Sequence, residues 1–223
     1  MATWMTHFRI AQRLIDRFGI EKIPFIVGNI APDCGVPDGS GKNYIPPRLI
    51  SHFTSENGRE IYAERFRRRY MPSDDKSLLH SDPFLLGYYV HLQTDDLWAR
   101  QVYLPIKEAN LEQYHSNTGF IAEVKAEWYA LDFDFLADNR EFEAYRIFCT
   151  LSEYPNDYLD FFPPDAVTRN IAKIQRFYGS DDNRPNAAFR YFDRKALESF
   201  LDRAANVLTA LLSAAPCSVS FHE

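Results

Sequence analysis

A histidine and an aspartate lie four residues apart in the stretch GYYVHLQTDDLW, residues 87–98. Positions i and i+4 share one face of a helix, so the imidazole of His91 and the carboxylate of Asp95 can reach one point. A nitrogen and a carboxylate oxygen together suit zinc or a similar divalent metal. The same spacing also occurs in a side-chain hydrogen bond or in a polar stripe on a surface helix, so the pair alone leaves these alternatives open.

The chain contains six histidines, and two others besides His91 have apolar neighbours. His7 lies in the first apolar-periodic segment, and His52 follows an irregular stretch in LISHFTS. One such histidine is more often an ordinary core or surface residue than a ligand, but three are harder to explain in that way. Asp33 ends the apolar run of FIVGNIAPDCG, where Pro-Asp-x-Gly taken alone indicates a turn.

Helices are the elements predicted to position these side chains. Apolar residues recur with helical period over residues 4–18, and Gly19 is a natural stop. Asp82 and Pro83 have the residue types of an N-cap and a first helical position, before the segment that carries His91. The same period returns in residues 121–135, 167–178 and 197–211.

The main irregular segment is predicted at residues 34–48, which are rich in Gly, Pro, Asp and Asn. Strand-like alternation is almost absent, and no internal repeat or linker divides the chain. The sequence therefore predicts an all-α fold, with one domain over residues 1–223.

The composition limits the classes of function. A net charge of −6 argues against general nucleic-acid binding and against anionic membranes, where a basic surface would supply affinity. Three widely spaced cysteines suggest free thiols in a reducing compartment. The chain has no secretory-type start and no long uncharged apolar run, so we expect a cytoplasmic protein without a membrane span.

Four motifs occur in one order: TWMTH, GNIAPD, SHF and LGYYVHLQTDDLW. Together they resemble the zinc-dependent phospholipase C family, which is related to the single-strand-specific zinc nucleases. The resemblance covers about residues 4–98, and beyond them only the helicity is similar. It implies a multi-helix bundle with a metal site in a cleft between helices.

The resemblance also implies a ligand set. Its histidine and aspartate positions match His7, Asp33, His52, His91 and Asp95. Asp95 resembles an aspartate that bridges two metals, and Asp33 would be both a ligand and a general base. In the secreted members, the free amino end of a tryptophan is a ligand; here Trp4 is internal, and we expect it to be an aromatic wall beside His7.

A further metal site of the family has no clear counterpart. Its first histidine position falls near Gln101, and only His115 and His222 remain downstream. We therefore expect one well-ligated ion on Asp33, His52, His91 and Asp95. A second, poorer ion would use His7 and the bridging Asp95, completed by His115, Asp96 or water. Asp96 would otherwise hold the tautomer of a ligating histidine.

The expected activity is hydrolysis of a small phosphoester by a water that the metal activates. Lys42 or Arg48, in or beside the irregular segment, would contact the phosphate; a solvated surface charge is the alternative for both, and the preferred one for Lys42. A non-catalytic protein that keeps the metal for structure or interaction is the other hypothesis. An HD-type phosphohydrolase is weaker, because the chain lacks a His-Asp dipeptide.

Overall fold

Helices form nearly all of the regular structure in the computed structural model, which describes residues 1–40, 43–72 and 77–214. The α-helices are α1 (Trp4–Phe18), α2 (Lys22–Gly28), α3 (Arg48–Ser51), α4 (Ala63–Tyr70), α5 (Pro83–Trp98), α6 (Leu104–Ala109), α7 (Leu111–Ser116), α8 (Phe120–Asp138), α9 (Glu143–Cys149), α10 (Ala166–Tyr178) and α11 (Arg194–Ser213). Three 3₁₀ turns (Ala31–Cys34, Leu78–His80 and Asp181–Asn183) and one π-helical turn (Ala99–Tyr103) complete the helical structure of these residues. The all-α prediction is confirmed.

The segment predicted to be a loop carries more structure than expected. Within residues 34–48, β1 (Val36–Pro37) and β2 (Tyr44–Ile45) form a short antiparallel ladder in which Val36 pairs with Ile45. Among the described residues, this hairpin is the only sheet. Two-residue strands give almost no sequence signal, because hydrophobic alternation cannot be recognised over two positions.

The helices that carry the histidines begin and end where the sequence predicts. Thr3 caps α1 by accepting a hydrogen bond from the Thr6 backbone N–H, and Gly19 ends the helix in the left-handed conformation at φ 67°. Asp82 caps α5 by accepting from the backbone N–H groups of Phe84 and Leu85. Both helix starts are fixed, so the positions of His7 and His91 along their axes are fixed as well.

Two glycines bring α2 and α5 into backbone contact. A Cβ atom on Gly28 would lie 2.0 Å from the carbonyl oxygen of Phe84, and one on Gly87 would lie 2.3 Å from that of Phe25. No side chain fits at either position without separating the helices. The chain that leaves α2, which leads to Asn29 and Asp33, is thereby held against the face of α5 that carries His91.

A continuous apolar core surrounds this crossing. Phe8 of α1, Phe25 of α2 and Phe84 of α5 are fully buried, as are Phe148 of α9 and Phe200 of α11. No helix in the described part of the chain is long and apolar enough to cross a membrane. Cys34 and Cys149 are free thiols, as the sequence suggests, while Cys217 lies outside the described residues.

Candidate metal centre

The five side chains predicted to share a site converge on one point. The Asp95 Oδ1 atom lies 3.5 Å from Nε2 of His7, and its Oδ2 atom lies 3.7 Å from Nε2 of His91. His52 Nε2 lies 3.9 Å from Asp95 Oδ2 and 3.3 Å from Asp33 Oδ1. These residues come from α1, the 3₁₀ turn after α2, the end of α3 and α5. Their proximity is therefore a property of the fold and not of sequence neighbourhood.

The spacing and the missing hydrogen bonds fit a metal ion. Four tetrahedral ligands with bonds near 2.1 Å lie about 3.4 Å apart, which is close to the separations found here. Two groups, His7–His91–Asp95 and Asp33–His52–His91, each place three ligand atoms within 4.8 Å of one another. Nε2 of all three histidines and Oδ2 of Asp95 are buried without a hydrogen-bond partner among the described residues. Unpaired buried polar atoms are costly, and a cation would satisfy them together.

The tautomer of His91 follows from its contact with the backbone. Its Nδ1 atom lies 2.8 Å from the carbonyl oxygen of Asn29, which can only accept a hydrogen bond. Nδ1 must therefore carry the proton, and Nε2 offers its lone pair to the site. Burial lowers the pKa of His91 to about 3, with a further lowering from His7, so the ring stays neutral at physiological pH.

The other two histidines are held by packing and by a hydroxyl group. The His7 ring stacks on His91 with centroids 3.8 Å apart. His52 Nδ1 lies 2.9 Å from the Ser51 hydroxyl oxygen, and the Tyr88 hydroxyl donates to the Ser51 carbonyl oxygen. The contacts of Ser51 anchor the short helix α3 to α5 and so fix where His52 points.

The two carboxylates have partners outside the histidine cluster. The Trp4 indole N–H donates to Asp33 Oδ2 at 2.9 Å, which turns Oδ1 toward His52. The backbone N–H of Ala2 donates to Asp95 Oδ1 at 2.7 Å. Burial raises the pKa of Asp33, but the neighbouring imidazole of His52, whose Nε2 atom lies 3.3 Å from Oδ1, and the nearby His91 outweigh it, so the net pKa is lowered. Burial also raises the pKa of Asp95, but the N-terminal ammonium, His7 and His91 outweigh this effect, so its net pKa is well below the ordinary value. Both carboxylates therefore stay ionised.

An open pocket of about 420 Å³ reaches the cluster from one side. Asp33 and His52 line it, whereas His7, His91 and Asp95 are fully buried behind them. Its lining residues are Met1, Ala2, Thr3, Trp4, Pro32, Asp33, Gly35, Tyr44, Pro46, Arg48, Ser51, His52, Lys125, Trp128, Tyr129 and Lys173. From this pocket, a small molecule would approach the cluster past Asp33 and His52.

The remaining sequence candidates have different fates. Asp96 pairs with Arg100 at 3.1 Å, and His115 is exposed on α7; neither belongs to the two ligand groups. Their predicted part in a second metal site has no support in this geometry. Arg48 lines the pocket, while Lys42 and His222 lie outside the described residues.

Several residues that shape the site carried no sequence signal. Asn29 acts through its backbone carbonyl, and any residue type has one. Asn170, on α10, donates to the Ile30 carbonyl oxygen at 3.3 Å and so supports the turn that carries Asp33. The sequence does single out Trp4 as an aromatic wall; the residue lines the pocket, but its hydrogen bond to Asp33 is visible only in the fold. Such contacts connect residues that only the fold brings together.

No family model, curated protein or solved structure matches this chain. The resemblance to the phospholipase C family therefore rests on the ordered motifs alone.

Proposed function

We propose that this protein is a metal-dependent phosphoesterase, with a fold related to that of the zinc-dependent phospholipases C and the zinc nucleases. The observation that carries the proposal is a cluster of three histidines and two aspartates, with unpaired buried atoms, at the base of an open pocket. Zinc or a similar divalent ion is the cofactor that suits nitrogen and carboxylate ligands.

One well-ligated ion is favoured over two. Both ligand groups include His91, but its Nδ1 atom is engaged by Asn29, so only Nε2 can bind a metal. One nitrogen atom binds one metal, so the two groups cannot each hold an ion with all three of their ligands. Asp33, His52, His91 and Asp95 supply a four-residue set, and His7 lies beside Asp95 as a fifth donor.

A bound divalent ion would supply Lewis acidity and lower the pKa of a coordinated water to about 7. Asp33 would orient the attacking water, because its carboxylate faces the pocket and is fixed by Trp4. Because its pKa is lowered, the Asp33 carboxylate is better suited to accept a hydrogen bond from the water than to remove its proton. Arg48 lines the same pocket, and its guanidinium would hold phosphate oxygens.

A purely structural metal is the competing function, and the depth of the cluster favours it. Three of the five side chains are closed off from solvent. Structural sites close all coordination positions with protein atoms, whereas catalytic sites keep one open. The pocket beside Asp33 and His52 provides such an opening, which supports catalysis.

The test combines metal content with hydrolysis. Purified protein loaded with zinc, manganese or iron should retain about one equivalent of metal and hydrolyse bis-p-nitrophenyl phosphate or p-nitrophenyl phosphate. Asp95→Asn should lose both metal and activity, because it removes the charge shared by the histidines. Asp96→Asn is the matched control, since Asp96 pairs with Arg100 on the neighbouring helix face and should keep both. Stable metal binding with no hydrolysis above the Asp95→Asn background would favour the structural function.

A further inference from the structure

Three basic side chains of the described residues line the pocket above the candidate metal centre. Arg48 begins α3, Lys125 lies on α8 and Lys173 lies on α10, so they come from separate elements. Among the described residues of the lining, Asp33 is the only acidic one, and its Oδ1 atom lies 3.3 Å from Nε2 of His52. This concentration of positive charge contrasts with the chain as a whole, whose net charge is −6.

Ten of the other basic residues that the structure describes are paired with a carboxylate. Arg13, Lys22, Arg69 and Arg146 each have a carboxylate within 2.7 Å. No carboxylate of the described residues pairs with Arg48, Lys125 or Lys173. Unpaired cations around a concave pocket focus positive potential into it and attract anions. Their arrangement is better suited to a ligand than to stabilising the fold.

Lys173 is connected to the metal cluster through one aromatic ring. Its Nζ atom lies 5.1 Å from the centre of the Trp4 ring, and the Trp4 indole N–H donates to Asp33. Lys173 therefore lies over the face of the ring whose N–H group holds Asp33, and it is not one of the candidate metal ligands. Trp128 also lines the pocket; it is 4% exposed, and its indole nitrogen has no hydrogen-bond partner within the described chain.

We infer that Lys125 and Lys173 form a second anion subsite, so that the substrate is a small phosphoester carrying another phosphate or carboxylate group. This inference rests on the proposed function, in which the metal centre and Arg48 hold the phosphate that is hydrolysed. The pocket of about 420 Å³ has the size of a small-molecule site. A nucleic-acid strand would need a longer basic surface, which the acidic composition disfavours.

The test uses two probes, butane-1,4-diylbisphosphonate and butylphosphonate. Each has a carbon–phosphorus bond in place of the ester bond, so a phosphoesterase cannot hydrolyse it. Their affinities for the metal-loaded protein would be measured by isothermal titration calorimetry at fixed ionic strength. We expect the bisphosphonate to bind roughly tenfold more tightly, because one extra charge-assisted contact contributes about that ratio. The double variant Lys125→Gln/Lys173→Gln should reduce the ratio to about one while leaving the butylphosphonate affinity within about twofold.

Lys195→Gln is the matched control, because Lys195 is an exposed lysine of α11 that does not line the pocket. It should keep the full ratio. Equal binding of the two probes by the native protein, or an unchanged ratio in the double variant, would overturn the subsite. Tighter lysine-dependent binding of a short oligothymidylate than of the bisphosphonate would overturn the small-molecule assignment.

Failure of the proposed function is a separate outcome. If no aryl phosphoester is hydrolysed but the probe ratio still depends on the two lysines, the subsite stands and the phosphoesterase proposal fails. If hydrolysis occurs and the ratio is one, the phosphoesterase proposal stands and the subsite is rejected. Circular dichroism of each variant establishes that the exposed substitutions leave the helices intact.

Discussion

The Nδ1 atom of His91 lies 2.8 Å from the backbone carbonyl oxygen of Asn29, where α2 and α5 touch. This contact sets the tautomer that turns Nε2 of His91 toward Asp95. It depends on Gly28 and Gly87, since a Cβ on either would collide with the backbone of the other helix. A ligand orientation is thus decided by two residues that have no side chain.

Gly87→Ala should weaken both the fold and metal binding. The new methyl group must push α2 away from α5, which lengthens the His91–Asn29 hydrogen bond. Overpacking of this kind costs about 1–3 kcal/mol, and loss of a ligand's supporting hydrogen bond lowers metal affinity about 10–100-fold. Denaturant unfolding and metal titration measure the two effects.

Gly39→Ala is the control for that substitution, because a Cβ on Gly39 meets no atom of the described residues within 4 Å. It should leave stability and metal affinity close to those of the native protein. A Gly87→Ala protein with native metal affinity would show that the helix crossing does not position His91.

Metal removal should lower the melting temperature. Without an ion, unpaired nitrogens of the three histidines stay buried beside two ionised carboxylates. A ligand that binds only the folded state, at a hundred times its Kd, contributes about 2.7 kcal/mol. Differential scanning fluorimetry with and without a chelator measures the change. His7→Ala should reduce the effect of the chelator on the melting temperature. His115→Ala should leave this effect unchanged, because His115 is exposed on α7. A native melting temperature that does not change on chelation would contradict an integral metal site.

Trp4→Phe should impair the centre without removing a ligand. Phenylalanine keeps an aromatic ring near Lys173 but cannot donate to Asp33 Oδ2, so the carboxylate is free to rotate away from His52. We expect turnover to fall about 10–100-fold, with a smaller loss of metal affinity. Steady-state kinetics at saturating metal separate the two effects. Phe177→Leu, which removes a neighbouring ring of Trp4 without touching Asp33, is the control; equal effects of both substitutions would assign Trp4 a packing role only.

The elements of this fold were largely predictable because their signals are local. The helical period over residues 4–18, with Gly19 beyond it, predicted α1, and the Asp82–Pro83 pair predicted the start of α5. The spacing of His91 and Asp95 required only a helix to bring them together. His7, Asp33 and His52 needed more than periodicity, and their ordered motifs supplied it.

The parts that were not predictable depend on contacts between distant positions. Asn29 contributes a carbonyl oxygen, which carries no side-chain signature. Gly28 and Gly87 are interpretable only once α2 and α5 are known to cross. Lys125 and Lys173 lie in the half of the chain where helicity was the only recognised pattern, and the pocket that joins them to Arg48 exists only in the folded chain.

A buried carboxyl group behind the site should control the pH dependence of stability. Asp132 of α8 accepts hydrogen bonds from the hydroxyl groups of Thr3 and Tyr178, and so ties the N-cap of α1 to α10. Burial raises its pKa from 3.8 to about 7, against the lowering effect of these two hydrogen bonds. The folded state therefore binds more protons than the unfolded state, and this group's contribution to stability is lost as the pH rises from about 4 to 7.

His91 has the opposite effect in an overlapping range. Its pKa falls from 6.5 to about 3 on folding, so its contribution is present above pH 6.5 and is lost as the pH falls through 3. In metal-free protein, between about pH 4 and 6.5, the Asp132 contribution makes the free energy of unfolding fall with pH and the His91 contribution makes it rise. Asp132→Asn should remove only the Asp132 contribution. The free energy of unfolding should then rise more steeply with pH than in the native protein, by up to about 1.4 kcal/mol per pH unit.

Urea unfolding at several pH values in the presence of a chelator measures these slopes, because metal binding would otherwise compete with protons. The control is Asp138→Asn, which changes a carboxylate of the same helix that is 55% exposed and paired with Arg194. It should leave the slope at its native value. If Asp132→Asn and the native protein have parallel profiles from pH 4 to 7, Asp132 is already ionised in the folded state. The link between α1 and α10 would then be a charged hydrogen bond instead of a neutral one.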